Sequence, residues 1–356
     1  MAGARVIVGM SGGVDSAVAA LLLRDAGHEV HGLYMDNWEG DDAYCTAARD
    51  YQDALATARE LGIVLHRVSF AEEYRRSVFE QFLAEYRRGR TPNPDVLCNR
   101  EIKFGVCLEY AARLGGARFA TGHYARLRPG PDGPELLRGV DAAKDQSYFL
   151  CAVERSRFGR VLFPVGELAK DAVRERARSA GLPVHDKPDS TGICFIGERP
   201  FAEFLARYIP DSPGPIETRS GERLGTHRGL PFYTLGQRGG LSIGGVRGAP
   251  AAPWYVAAKD VARNALIVVQ ADGREACAVP ALRAGSLNWL ADASPGPLAV
   301  KTRYRQPDAP AELELPADGA ALVRFAAPQW AVTPGQTVAF YRGERCLGGG
   351  LIEETL

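Results

Sequence analysis

One short stretch near the start of the chain, Gly9-Met10-Ser11-Gly12-Gly13-Val14-Asp15-Ser16, restricts the fold more than any other. It follows an apolar run, Arg5 to Val8, and leads into an apolar helical segment, Ala17 to Leu23. Gly12 and Gly13 let the backbone turn tightly with no Cβ in the way. Ser11 and Ser16 add hydroxyl donors. The bare N–H groups of the turn and of the helix N-terminus then form a nest for an anion. The Walker pattern is excluded, because it places a Lys in the loop, and the G-x-G-x-x-G fingerprint of dinucleotide sites is absent here.

The first half of the chain continues the same alternation. Strands are expected over Arg5–Val8, Glu29–Tyr34, Val64–Val68 and Arg118–Thr121. Helices are expected over Asp15–Asp25, Ala47–Leu61, Glu72–Arg88 and Glu101–Leu114. This rhythm predicts an α/β domain with a parallel sheet covered by helices on both faces. Such sheets bind ligands at the carboxyl ends of their strands, where Gly9, Met35 and Gly122 fall. From about Arg207 the helical periods fade and short β-rich runs take over, among them Trp254–Ala257, Ala265–Val269, Ala299–Tyr304, Ala321–Phe325 and Thr337–Tyr341. Two small β-rich domains, barrels or sandwiches, are expected there. The predicted limits are 1–205, 206–276 and 277–356.

A chain of 356 residues agrees with two or three domains. Lys plus Arg and Asp plus Glu both number 43, so a polyanionic partner has to be held by local basic patches rather than by net charge. Seven cysteines are scattered with no C-x-x-C pair, which argues against a structural zinc site. The N-terminus enters a strand at once, so no signal peptide is expected, and no apolar run is long enough to cross a bilayer. A reducing cytoplasm is the expected setting, with the cysteines as thiols.

Two cysteines stand in polar, turn-rich surroundings. In Thr91-Pro-Asn-Pro-Asp-Val-Leu-Cys98 the prolines pin Asn93 and stiffen the loop, with Asp95 and Cys98 at its end. Cys98 is expected just before a helix, whose N-terminal dipole favours a thiolate, with Arg100 and Lys103 nearby. Cys194 follows the turn formers Asp189 to Gly192, with Lys187 placed to lower a thiol pKa. Cys107 and Cys151 sit in apolar patterns and read as core, and structural roles are expected for Cys45, Cys277 and Cys346. In the C-terminal third, Lys301, Arg303 and Arg305 alternate, as a basic ladder on one strand face would. His123 and the other histidines have no metal-ligand spacing and read as structural.

SGGVDS, MDNW, TPNPDVLCNREIKF, ATGHYAR, KDQSYFL, STGICFIG, TRYRQ and CLGGGLIE occur in that order. Together they resemble the tRNA-specific 2-thiouridylases, a branch of the ATP pyrophosphatases with an adenine-nucleotide α-hydrolase-like first domain. Asp36 departs from the family pattern, where Lys or Gln is usual. The resemblance implies ATP-dependent replacement of oxygen by sulfur at carbon 2 of the wobble uridine. ATP would lie on Gly9, Met10, Ser11, Gly12, Gly13, Val14, Asp15 and Ser16, bounded by Met35 and Gly122, with Mg²⁺ on its phosphates and Asp15 as an indirect ligand. It further implies Cys98 as nucleophile, Cys194 as persulfide carrier, a transient Cys98–Cys194 disulfide, and Asp95 as general acid or base. Asn93, Pro94 and Asp95 would meet the target base, and Lys144, Asp145, Gln146, Arg303 and Tyr304 would contact tRNA. Acceptors for Lys, Glu and Gln, and a cysteine desulfurase or sulfur relay protein, are the implied partners. An amidating synthetase shares the pyrophosphate loop and is the alternative enzyme, although it has no use for paired cysteines. A non-catalytic tRNA-binding module is the alternative outside enzymes.

Overall fold

The computed structural model of the chain describes residues 3–38, 47–189, 201–243, 252–270 and 273–356. Cys45 and Cys194 lie outside them. Among the described residues, the first half contributes seven strands: β1 (Arg5–Gly9), β2 (Glu29–Asp36), β3 (Val64–Ser69), β4 (Arg118–Ala120), the hairpin β5 (Ala125–Gly130) and β6 (Gly133–Arg138), and β7 (Val161–Leu162). Five of these form one parallel sheet in the order β3-β2-β1-β4-β7. The central strand β1 buries Val6, Ile7 and Val8 completely, as a strand covered on both faces must. Ile7, Leu33 and Phe119 join one core, whereas Val6, Val8, Val30 and Ala120 join another, so apolar packing covers both sheet faces.

The helices are α1 (Val14–Asp25), α2 (Ala47–Leu61), α3 (Ala71–Tyr74), α4 (Glu80–Arg87), α5 (Pro94–Leu97), α6 (Cys107–Arg113), α7 (Ser147–Leu150), α8 (Lys170–Ser179) and α9 (Phe201–Ala206). Between α3 and α4 the chain makes a π-helical turn, Arg75–Phe79. A second π-helical stretch, Cys98–Val106, joins α5 to α6 and contains a non-helical kink at Gly105. The helix expected from Glu101 therefore begins much earlier, at Pro94. Asn93 caps it, its Oδ1 accepting the N–H groups of Asp95 at 3.2 Å and Val96 at 3.4 Å, and Pro94 occupies the first turn, where its missing N–H costs nothing. Asp95 and Cys98 are thus helical residues, not loop residues before a helix.

The middle of the chain forms a four-stranded sheet from β8 (Gly214–Thr218), β9 (Arg223–His227), β10 (Trp254–Asp260) and β11 (Ala265–Gln270), in the order β10-β11-β8-β9. The C-terminal strands are β12 (Val279–Trp289), β13 (Gly296–Lys301), β14 (Ala309–Glu314), β15 (Ala321–Gln329), β16 (Thr337–Arg342) and β17 (Arg345–Thr355). Pairing of β12 with both β15 and β17 closes them into a six-stranded barrel. The β5–β6 hairpin of the first half adds to this barrel sheet, with Leu137 opposite Arg345. Aromatic residues seal the seam between the first half and α9, where Trp38, Phe79, Phe204 and Tyr208 meet edge to face or tilted.

Candidate functional site

The β1–α1 turn lies where the strand order reverses, between β1 and β4, which is the ligand crevice of an open α/β sheet. Gly12 has φ +75°, a conformation glycine adopts freely, and a Cβ there would collide with the backbone of Asp50. A Cβ on Gly122 would lie 2.6 Å from Ser16 N, so the β4 end packs directly on the start of α1. The cap residue Gly13 has no side chain to offer the first helical turn. Ser11 and Ser16 brace the loop: Ser16 Oγ donates to Gly13 O at 3.0 Å and accepts Ser11 N–H at 3.2 Å. At the carboxyl end of β2, Asn37 Oδ1 is buried with no hydrogen-bond partner among the described residues, an acceptor that suits a ligand's donor. Asp36 is paired with Arg67, Nε to Oδ2 at 2.6 Å. A glycine nest, an uncapped helix start and an orphan acceptor fit a nucleotide with its phosphates on the turn.

The crevice is ringed by charges that no local pattern announces. Lys170 Nζ, on a side chain 9% exposed, donates to Asp15 Oδ1 at 2.7 Å and Oδ2 at 2.8 Å, and it reaches Asp189 at 2.8 Å. Tyr124 Oη also donates to Asp15, at 2.7 Å. Both oxygens of the expected indirect Mg²⁺ ligand are therefore engaged within the protein. Lys187 donates to Gly12 O at 3.0 Å, to Asp50 at 2.7 Å and to Asp53 at 2.5 Å, and so braces the pyrophosphate loop; Cys194, the thiol expected near it, lies outside the described residues. Asp189 is bound by Lys144, Lys170 and Arg174. Burial opposes its ionisation, but the bonds from Lys144 and Lys170 outweigh it and hold the carboxyl at about 2.

The second centre is the α5 start. Cys98 is 1% exposed and packs in the core cluster with Val96 and Ile102. Asn99 Nδ2 donates to Asp95 O at 3.0 Å. A cleft of about 370 Å³ opens beside α5, with Pro92, Asn93, Val96 and Leu97 on one wall and Gly335 and Gly349 of the barrel on the other. Neither Asp95 nor Cys98 lines it. Cys107, Cys151 and Cys346 are fully buried and burial raises all three thiols, Cys346 to about 12, as core cysteines require. The persulfide position, Cys194, lies outside the described residues.

The residues expected at tRNA are placed unequally. Lys144 is half-exposed but tied to Asp189 at 2.7 Å. Asp145 is 3% exposed, accepts the N–H groups of Gly139 and Ser147 at 3.1 Å, and pairs with Arg138 at 3.3 Å. Gln146 Oε1 accepts Tyr124 N–H at 3.0 Å. In this structure Asp145 and Gln146 hold the turn that presents Lys144. The basic strand face expected over Lys301, Arg303 and Arg305 does not form, because β13 ends at Lys301. Arg303 instead turns inward and donates to Leu235 O at 2.7 Å and to Thr333 Oγ1 at 2.6 Å. Tyr304 lies against Phe149, ring centroids 4.4 Å apart. Pairing thus brings KDQSYFL and TRYRQ together across the domain seam.

This is a three-part protein built on an adenine-nucleotide α-hydrolase type of domain, and its family descriptions agree. Residues 4–198 match the tRNA methyl transferase HUP domain, 202–270 the tRNA methyl transferase PRC-barrel domain, and 279–352 the aminomethyltransferase beta-barrel domain. The tRNA-specific 2-thiouridylase MnmA of Methylobacillus flagellatus is 52% identical over 99% of this chain and 99% of its own. The protein of the same name from Alkalilimnicola ehrlichii is 55% identical over 98% of this chain and 97% of its own. The chain belongs to the tRNA-specific 2-thiouridylase family. A 4-thiouridine synthetase–RNA complex with bound ATP aligns over 58% of this chain and 50% of that chain, at 20% identity and a TM-score of 0.38, a likeness too slight to carry an argument.

Proposed function

We propose that this chain is an ATP-dependent tRNA sulfurtransferase that converts the wobble uridine to 2-thiouridine. The anion nest at the β1–α1 turn, seated at the switch point of the sheet, carries the reading. A uridine carbonyl is a poor electrophile and its oxygen a poor leaving group. ATP, cleaved between its α- and β-phosphates, makes that oxygen part of AMP and releases pyrophosphate, and a nest for phosphates serves that step. Gly9 to Ser16 would hold the phosphates, Met35 and Gly122 would bound the nucleotide, and Mg²⁺ would enter with ATP to shield phosphate charge.

Cys194 would supply sulfur as a persulfide. Its terminal sulfur attacks carbon 2 and AMP departs with the bonding electrons; Cys98 then attacks the Cys194 sulfur, so that a Cys98–Cys194 disulfide forms and the thiolated base is released. In the other route Cys98 attacks the persulfide first and frees sulfide to act on carbon 2. Both end in a disulfide that an external thiol must reduce. Asp95 moves a proton at the base, with Asn93 and Pro94 beside it. Lys144, Asp145, Gln146, Arg303 and Tyr304 would contact tRNA, Arg303 by exchanging its bonds to Leu235 and Thr333 for the nucleic acid. The tRNA set for Lys, Glu and Gln, a sulfur relay protein and a cytoplasmic setting complete the proposal.

The test is mass spectrometry of nucleosides from tRNA incubated with the chain, ATP, Mg²⁺ and a sulfur donor. Thiouridine formation matched by pyrophosphate release is the expected result. Cys98→Ser and Cys194→Ser should each abolish thiolation while ATP binding, read by calorimetry, persists. A methylated base, or ammonia-dependent product without sulfur, would overturn the reading.

A further inference from the structure

The loop that leads to Asp95 and Cys98 is held from outside its own domain. Gln336, in the turn before β16, donates through Nε2 to Thr91 O at 2.7 Å and to Pro92 O at 3.3 Å. Thr91 N–H donates to Pro334 O at 3.1 Å. Between these contacts Gly335 has φ +92°, and a Cβ there would lie 2.9 Å from Arg90 Cβ and 3.0 Å from Thr91 N. The barrel turn therefore meets the loop backbone to backbone.

The loop needs such partners. Pro92 and Pro94 have no N–H to donate, and the side-chain oxygen of Asn93 is spent on the cap of α5. Its carbonyls and its remaining N–H must bond elsewhere or stay unsatisfied. Gln336 is itself fixed: its N–H donates to Thr333 O at 3.1 Å, and its carbonyl accepts Ile352 N–H at 2.8 Å. A glutamine with a rigid backbone and a two-pronged side-chain bond sets the position of Thr91 and Pro92, and through the Asn93 cap the direction in which α5 starts.

We propose that Gln336 is a positioning residue for thiolation, holding the Thr91–Asn93 loop so that Asp95 and Cys98 meet the target base in register. It rests on the sulfurtransferase reading above. The experiment compares the full-length wild type with Gln336→Met, Gln336→Lys and Gly335→Ala, measuring kcat and KM for tRNA and ATP, together with Tm. Gln336→Met keeps the side-chain length and removes the donor. Its kcat should fall about tenfold or more, because small misplacement of reacting groups is costly. Both KM values should stay within about twofold, since the contacts removed touch neither substrate. Gln336→Lys keeps a donor at the end of the chain and should restore most of the rate. Gly335→Ala, which pushes on Thr91, should repeat the loss in kcat.

An unchanged kcat in Gln336→Met sinks the proposal. So does a lowered Tm with kcat and KM shifted together, since the side chain then serves stability alone. A wild type that thiolates no tRNA overturns the sulfurtransferase reading, and this inference with it.

Discussion

At the scale of single residues, the Asp15–Lys170 pair is the most consequential contact of the nucleotide crevice. Sequence places Asp15 in the first turn of α1, where a carboxylate suits the helix dipole. It does not show which cation neutralises this carboxylate beside the anion nest. Lys170 does so from α8, with both oxygens within 2.8 Å. Removing the lysine takes the cation from Asp15, which keeps the Tyr124 hydroxyl bond beside the anion nest. Lys170→Met should destabilise the fold by about 2 kcal/mol, less than the 3–5 of fully buried pairs, because the Asp15 side chain is 31% exposed. It should also weaken ATP, and adding Asp15→Asn should recover part of both losses. Urea unfolding and ATP titration of the single and double variants read this coupling, and strict additivity would refute it.

At the scale of elements, the alternation of strands and helices is legible locally, but where a helix starts or a strand ends depends on more. The two prolines read as a stiff loop ending at Cys98, whereas Asn93 caps a helix that starts at Pro94 and continues as a π-helical stretch in which Ile102 and Phe104 are buried. β13 stops at Lys301 because Arg303 finds Leu235 and Thr333 inside, and alternation of charge cannot reveal that. The docking of β10 provides a pH test. Lys259 donates to Gly89 O at 3.1 Å, at the end of the helix that closes with α4. Burial lowers its ammonium from 10.5 to about 8. Between those values the unfolded chain binds the extra proton, so this group makes stability rise with pH from about 8 toward 10.5. Lys259→Met should lose that rise. In Tm measurements the wild type should gain on the variant across this window, and parallel profiles would contradict it.

At the scale of the whole molecule, the barrel is a structural partner of the catalytic domain. Tyr148 Oη donates to Thr337 O at 2.9 Å, Asn288 Nδ2 donates to Cys151 O at 2.8 Å, and the β5–β6 hairpin extends the barrel sheet. With 43 acidic and 43 basic residues, binding of tRNA has to rest on local patches. tRNA affinity should therefore fall steeply as salt rises, through counterion release at phosphate contacts. Filter binding across a salt series measures the slope, and a flat response would argue against phosphate contacts.

The amino-acid sequence by itself determined the features whose physics is local. A glycine turn between strand and helix, the alternation of strands and helices, and the change of texture after Arg207 each need only a few adjacent residues. The family motifs were equally legible, because they are strings. Only the tertiary structure decided which charges surround the nest, that Arg303 faces inward, and that Gln336 holds the loop of Thr91. Lys170 and Asp15, or Gln336 and Thr91, are far apart along the chain. No periodicity links such pairs, and they meet only because hydrophobic burial closes the sheet and the barrel around them.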